Sequence, residues 1–356
     1  MDDEEDFYAR PDTLLGALQR GMGRGVVQTM NDPAAAREAV LSCLRRDHRW
    51  WWTCDDRAVY LARLVRDLEI PIDRLLAVLD RVPPGDDENG AALTLEVLEV
   101  LGRAGNRQAI DGVRRHIIEG PHWLEALDTV GPSWDTELWD DLYPRLRDRI
   151  ATVEPGRILW KSLPWVRWAG QDAHVASLIE DARVEPGHRL PDPSPRPGLA
   201  QARRWAAVPD HSRYWSAAQV LADEGDERDV PALLEAVDRV HARGGGLGWC
   251  YGALVEGLAR IGGDEAAQVV RRLRWLWSVP HTYERAAVLR ALMAFAPVGE
   301  PPRQLFEGLS DCEADVRALS AAHVPLTGWT RALLRSLRDD PLETPEVREA
   351  AAQRLG

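Results

Sequence analysis

Lysine is almost absent from this chain. Lys161 stands alone among 44 basic residues, so arginine carries nearly all the positive charge. Phenylalanine is also scarce, with 3 residues against 15 tryptophans. Lysine and phenylalanine codons are AT-rich, so both shortages fit a GC-rich, bacterial type of genome, and tryptophan abundance partly reflects the same bias. The 4 cysteines in 356 residues (Cys43, Cys54, Cys250, Cys312) are too few for a disulfide framework. No apolar run approaches the roughly 18 residues of a spanning helix. The opening MDDEEDFYAR is acidic and lacks an apolar core, so no secretory or mitochondrial signal is read there. These absences make no membrane association and a cytoplasmic location the expectation. The acidic excess, 57 against 44, gives a net charge of −13 and argues against general affinity for phosphate backbones. No nucleic-acid partner is expected.

Alternating strand patterns bounded by Asn-Gly turns are also missing. Helical patterns fill their place. DDRAVYLARLVRDL puts Val59, Tyr60, Leu61, Leu64, Val65 and Leu68 at helical spacing behind Asp55 and Asp56, which are N-cap candidates. GAALTLEVLEVLGRAG, PALLEAVDRVHARG and EVREAAAQRLG read the same way, so the chain is expected to be all-α.

Self-similarity is the next signal. Leu101 to Arg115, LGRAGNRQAIDGVRR, aligns without a gap on Leu258 to Arg272, LARIGGDEAAQVVRR, and LADEGDERDVPALL from Leu221 is a third copy. Gly105, Gly225 and Gly262 suit the left-handed residue that ends a first helix. Asn106, Asp226 and Asp264 lie where a second helix needs its free N–H groups capped. Ala109 and Ala266 let two helices approach closely. The spacing predicts pairs 55–68 with 71–81, 86–104 with 106–119 and 121–130 with 134–150. After a degraded stretch, 153–209, come 213–223 with 226–243, 247–261 with 264–277, 281–296 with 301–309, 312–324 with 328–338, and a capping helix 346–355.

The junctions, with the Val-Arg helix openings DVRALSAA (Asp315 to Ala322) and EVREAAA (Glu346 to Ala352) and the looser DPAAAREAV from Asp32, resemble the HEAT and HEAT-like repeat family, including its bilin-lyase-type variant. The resemblance implies a right-handed α-solenoid of antiparallel helix pairs over 31–356, behind an acidic tail and leading helix at 1–30. ARVEPGHRLPDPSPRPG (182–198) is read as a Pro-rich surface loop.

Candidate sites are each set against packing. Arginine pairs at second-helix ends (Arg114 and Arg115; Arg271, Arg272 and Arg274; Arg239 and Arg243) would form a basic ridge, but acids on the same edge are expected to neutralise it. GMGRG (Gly21 to Gly25) and GGGLG (Gly244 to Gly248) lack the strand and Lys-Ser/Thr contexts of nucleotide loops and are read as helix terminators. Cys43, His48 and Cys54 lack a matching fourth ligand, so no metal and no cofactor is expected. No catalytic residue is assigned. RWWWTCDD, from Arg49, places three indoles in a short connector, where consecutive rings must diverge. Trp51, Trp52 and Asp55 are therefore binding candidates, with at least one ring exposed, and Trp134, Trp139, Trp165 and Trp168 join them from the tryptophan-rich centre. Helical spacing also allows several of these to be core.

The resemblance implies a non-enzymatic scaffold that holds a protein or peptide on a concave face lined by second helices. The alternatives are an enzyme on the same scaffold, in the manner of HEAT-like DNA glycosylases with Trp and Asp (Asp55, Asp56, Trp134, Asp135, Trp139 and Asp140 supply the types), or a small-molecule pocket among the central tryptophans. Partner identity and oligomeric state stay open.

Overall fold

The helix junctions show how local chemistry sets the architecture. The computed structural model describes residues 7–50, 54–82, 90–158, 161–184, 196–208, 210–242 and 251–356. The helix Ala91–Arg103 ends before Gly105, whose φ is +91°, and Asn106 opens Arg107–Glu119 by accepting the Ala109 N–H. Glycine reaches that left-handed conformation without a Cβ clash, and the Asn carboxamide satisfies a free helix donor. Gly262, at φ +73°, ends Tyr251–Ile261 in the same way. The third junction is built differently. Gly225 keeps a φ of −69°, and it is glycine because a Cβ would stand 2.3 Å from the Leu221 carbonyl oxygen. Asp226 then forms a reciprocal capping box with Asp229, whereas Asp264 sits inside the first turn of Gly263–Ala266 and Gly262 holds the cap position.

Among the described residues the fold is all-helical, with no strand, and no helix is long and apolar enough to cross a membrane. The expected helices appear as Arg57–Asp67, Ile72–Leu79, Ala91–Arg103, Arg107–Glu119, Trp123–Val130, Tyr214–Glu224, Val230–Ala242, Tyr251–Ile261, Arg285–Ala294, Ala314–His323, Gly328–Asp339 and Pro345–Leu355. Three are cut short. The stretch 134–150 starts as 3-10 turns and becomes α-helical at Tyr143, and 264–277 is interrupted by a 3-10 turn at Ala267–Val269. The stretch 301–309 reduces to Gln304–Gly308, because Pro301 and Pro302 cannot donate to a preceding turn. The degraded centre holds Leu163–Ala169, Ala173–Val184 and Leu199–Ala206. Most of the Pro-rich loop and all of GGGLG lie outside the described residues.

The chain divides into two units: Met1–Asp32 with His48–Tyr60 and Pro193–Gly356, and Pro33–Asp47 with Leu61–Asp192. Arginine ties successive helices within each. In the first unit Arg203 bonds Asp229, Arg285 bonds Asp311 and Arg317 bonds Glu343, each acid 26 residues after its arginine. Other arginines cover helix C-terminal carbonyls: Arg260 donates to Ala222 and Gly225, and Arg354 to Val324. In the second unit Arg149 does so at Ile118 and Gly120, and Arg37 at Leu68. A guanidinium there satisfies unpaired carbonyls and opposes the negative end of the helix dipole.

The first unit also brings together segments far apart in sequence. The Cys312 N–H donates to the Gly21 carbonyl at 2.9 Å, and the Tyr60 hydroxyl donates to the Met22 carbonyl. Gly21, at φ +62°, ends the helix Leu14–Gln19, as expected of a terminator. Gly23 and Gly25 instead lie within the helix Gly23–Thr29, where a Cβ on Gly23 would meet the Glu307 carbonyl oxygen at 1.8 Å.

Candidate functional site

The first unit buries Arg20, Arg57, Arg285 and Arg317, and the last three are each paired with an acid. Arg57, at the start of Arg57–Asp67, bonds both oxygens of Asp55 at 2.6–2.9 Å and donates to the Gln19 carbonyl. Asp55 also accepts the Arg57 N–H, so it caps this helix as its position implied. Arg285 donates to Asp311 at 2.9 Å, to the carbonyls of Arg20 and Gly21, and to Cys312 Sγ at 3.1 Å. Arg317 grips both oxygens of Glu343 at 2.7 and 2.8 Å and donates to the carbonyls of Asp311 and Cys312. All three arginines are buried, and each is matched by one carboxylate and at least one main-chain carbonyl.

Glu313 sits among these groups. Burial, reinforced by the negative charge of Asp55, pushes its carboxyl up to about 7. For Asp55 burial works in the same direction, but the Arg57 guanidinium overrides it and holds the carboxyl below the usual range. Burial raises the Cys312 thiol well above its ordinary value against the opposing charge of Arg285. The thiol is therefore kept protonated and is not an activated nucleophile.

One oxygen or sulfur from each of Asp55, Cys312 and Glu313 lies within 4.8 Å of the others, the spacing of a metal site. The donor chemistry does not fit one. Arg57 already occupies both oxygens of Asp55, and Arg285 donates to the sulfur. A divalent cation would enter against two guanidiniums and need the thiolate that burial disfavours. The cluster is an ion-paired clasp between the N-terminal segment and the helices from 285 onward.

The sequence candidates separate. Trp51 and Trp52 lie outside the described residues. Their neighbour Trp50 is 48% exposed, and its ring stands edge-on to the buried His281 at 4.9 Å. Asp55 is buried within the clasp. Trp134, Trp139, Trp165 and Trp168 belong to the interior of the second unit. Their indole N–H groups are occupied there: Trp134 by the Glu99 carbonyl, Trp139 by the Trp134 carbonyl, Trp165 by Asp128 and Trp168 by Asp140. These four are packing residues, because a helical unit with few phenylalanines fills its large interior gaps with indoles. Trp134 borders a cleft of about 480 Å³ that Arg103, Arg107, Asp135 and Glu137 also line.

The arginine ridges are paired in part, at one arginine of each set. Arg114 meets Asp141 at 2.6 Å, Arg239 meets Glu235 at 3.0 Å, and Arg272 meets Asp238 on the neighbouring second helix. The buried clasp was invisible in the sequence, because its charges come from residues more than 200 positions apart. Its one local signal was GMGRG, where a glycine-rich run signals close backbone approach as readily as helix termination.

No family model, no curated protein and no solved structure matches this chain.

Proposed function

We propose that this protein is a non-enzymatic scaffold, a right-handed α-solenoid of HEAT-like helix pairs that holds a protein or peptide partner. The helix junctions and the arginine-to-acid links at a spacing of 26 residues support the repeat reading. Trp50 carries the functional reading. Its indole is half-exposed yet held edge-on by a buried histidine, which is the form of a preorganised aromatic anchor. Further large apolar side chains are exposed: Trp329 at 50%, and Leu163 and Val166 one turn apart on Leu163–Ala169. In the first unit Asp55, Asp311 and Glu343 are each held by a buried arginine, which fits holding rather than turnover.

A second reading, a small-molecule site in the tryptophan-rich part of the chain, is favoured by the cleft beside Trp134 and its mixed lining of Arg107, Asp135 and Glu137.

Photocrosslinking from position 50 in the host cell tests the scaffold reading. The expected result is one discrete protein adduct from position 50 that is absent from a crosslinker at the exposed control position Arg228. The same adducts from both positions, or none from position 50 and position 329, would overturn it.

A further inference from the structure

We propose that the cleft between the helices Val270–Leu276 and Arg285–Ala294 and the turn that follows them is a binding site for a small monocarboxylate with an apolar body. This inference is independent of the scaffold reading. The cleft holds about 520 Å³, within the range of small-molecule sites, which is roughly 300–1,000 Å³. Its floor is apolar, formed by Val270, Leu292 and Phe295, and its far wall is a turn containing Pro297, Pro301 and Pro302. Gly299, at φ +83°, and the Glu300 N–H donated to the Pro297 carbonyl set the shape of that turn. Three prolines restrict the wall, so its apolar surface is held open in the free protein rather than assembled by a ligand.

The polar lining is the informative part. Arg274 and Arg303 both border the cleft, and neither guanidinium forms a hydrogen bond or ion pair among the described residues. Several other arginines of the first unit, such as Arg203, Arg272 and Arg290, are held by acids. Gln304 borders the same cleft with only 4% of its surface exposed, and its carboxamide also has no partner among the described residues. A ligand oxygen at this wall would accept its N–H. Glu300 is the one acid in the lining, so two guanidiniums and one carboxylate leave a net charge of +1. A single negative charge neutralises that balance, whereas a dianion would leave excess negative charge beside Glu300. A carboxylate matches the planar fork of a guanidinium, while its aliphatic or aromatic body would cover Phe295 and Leu292.

The test is calorimetric titration of the full chain with octanoate, octan-1-ol and octyl phosphate. Octanoate is expected to bind, the alcohol about tenfold or more weakly, and the phosphate more weakly than octanoate at pH 8, where it is a dianion. Arg274→Gln and Arg303→Gln should each lower octanoate affinity by roughly tenfold, with unchanged thermal midpoints because neither side chain bonds the protein. Phe295→Ala should weaken octanoate and octanol alike. Gln304→Leu keeps the buried volume and should weaken octanoate alone. Equal binding of octanoate and octanol, full octanoate binding by the Arg274→Gln/Arg303→Gln double variant, or no octanoate binding at millimolar concentration would each overturn the assignment.

Discussion

Arg285 and Asp311 meet at 2.9 Å with neither side chain reaching solvent, and the same guanidinium donates to the carbonyls of Arg20 and Gly21. One arginine thus joins the link to the next helix pair with the seating of the N-terminal segment. Removing one member of such a pair leaves the other charge buried and unmatched. Arg285→Met is expected to destabilise the first unit by about 3–5 kcal/mol, whereas Arg285→Met with Asp311→Leu should restore much of the loss. Arg203→Met, at a more exposed link of the same spacing, should cost much less. Urea unfolding of the variants decides it, and equal losses at the two links would refute the account.

Stability should fall as the pH rises from mildly acidic to neutral. Burial raises Glu313 and Glu284 from 4.5 to about 7. Between those values the folded chain keeps protons that the unfolded chain releases, so stability declines with rising pH and levels off above 7. One pKa unit corresponds to about 1.4 kcal/mol, which limits each carboxyl to a few kcal/mol. Asp55 acts in the opposite sense, its contribution being lost only as the pH drops below the usual carboxylate range. Urea midpoints at pH 5.5 and 8 should differ in the wild type, and the difference should narrow in Glu284→Gln/Glu313→Gln, where Asp56, Glu307 and Asp311, also raised by burial, keep part of it. A slope undiminished in the double variant would show that other groups control it.

Two glycines with positive φ should respond unequally to alanine. Gly21, at φ +62°, would place a Cβ 2.4 Å from Cys312 Sγ and 2.9 Å from Arg57 Cγ, whereas at Gly262, φ +73°, nothing lies within 4 Å. Gly262→Ala meets only the cost of a backbone at φ +73° and ψ −165°, a region kept by glycine, about 1–3 kcal/mol. Gly21→Ala adds overpacking, about 1–3 kcal/mol more, and loosens the clasp. Thermal unfolding of the two variants would show the difference, and equal midpoints would mean the clasp yields freely at this point.

These contrasts mark what the sequence discloses. Asn106 and Gly105 were legible because caps and left-handed glycines act within a few residues of themselves. Gly225 was misread as left-handed because its constraint comes from the Leu221 carbonyl, and the sequence calls for glycine in either case. Asp55 read correctly as a cap, but its partner network with Arg57 and Gln19 depends on tertiary placement that no local spacing encodes. The central tryptophans carried the same ambiguity: period and composition mark a large apolar ring, and only burial decides whether it faces a ligand or a neighbour.

Trp168 and Trp329 offer the sharpest test of that last point. Trp168 is fully buried, stands edge-on to Trp139 at 5.9 Å and to Trp165 at 6.1 Å, and donates its indole N–H to Asp140 at 3.2 Å. Trp329, in the first turn of Gly328–Asp339, is 50% exposed. Truncating the first should open a cavity and cost about 3–5 kcal/mol, whereas truncating the second should change stability by less than about 1 kcal/mol. Trp168→Phe separates two contributions, since it keeps most of the apolar volume and removes the hydrogen bond. Asp140 retains Arg167 as an ion-pair partner at 2.7 Å, so this variant should fall between the wild type and Trp168→Ala. Equilibrium unfolding in urea gives all three values. If Trp168→Ala proves as mild as Trp329→Ala, the central indoles are not the structural core of the second unit, and their role as ligand contacts would have to be reopened.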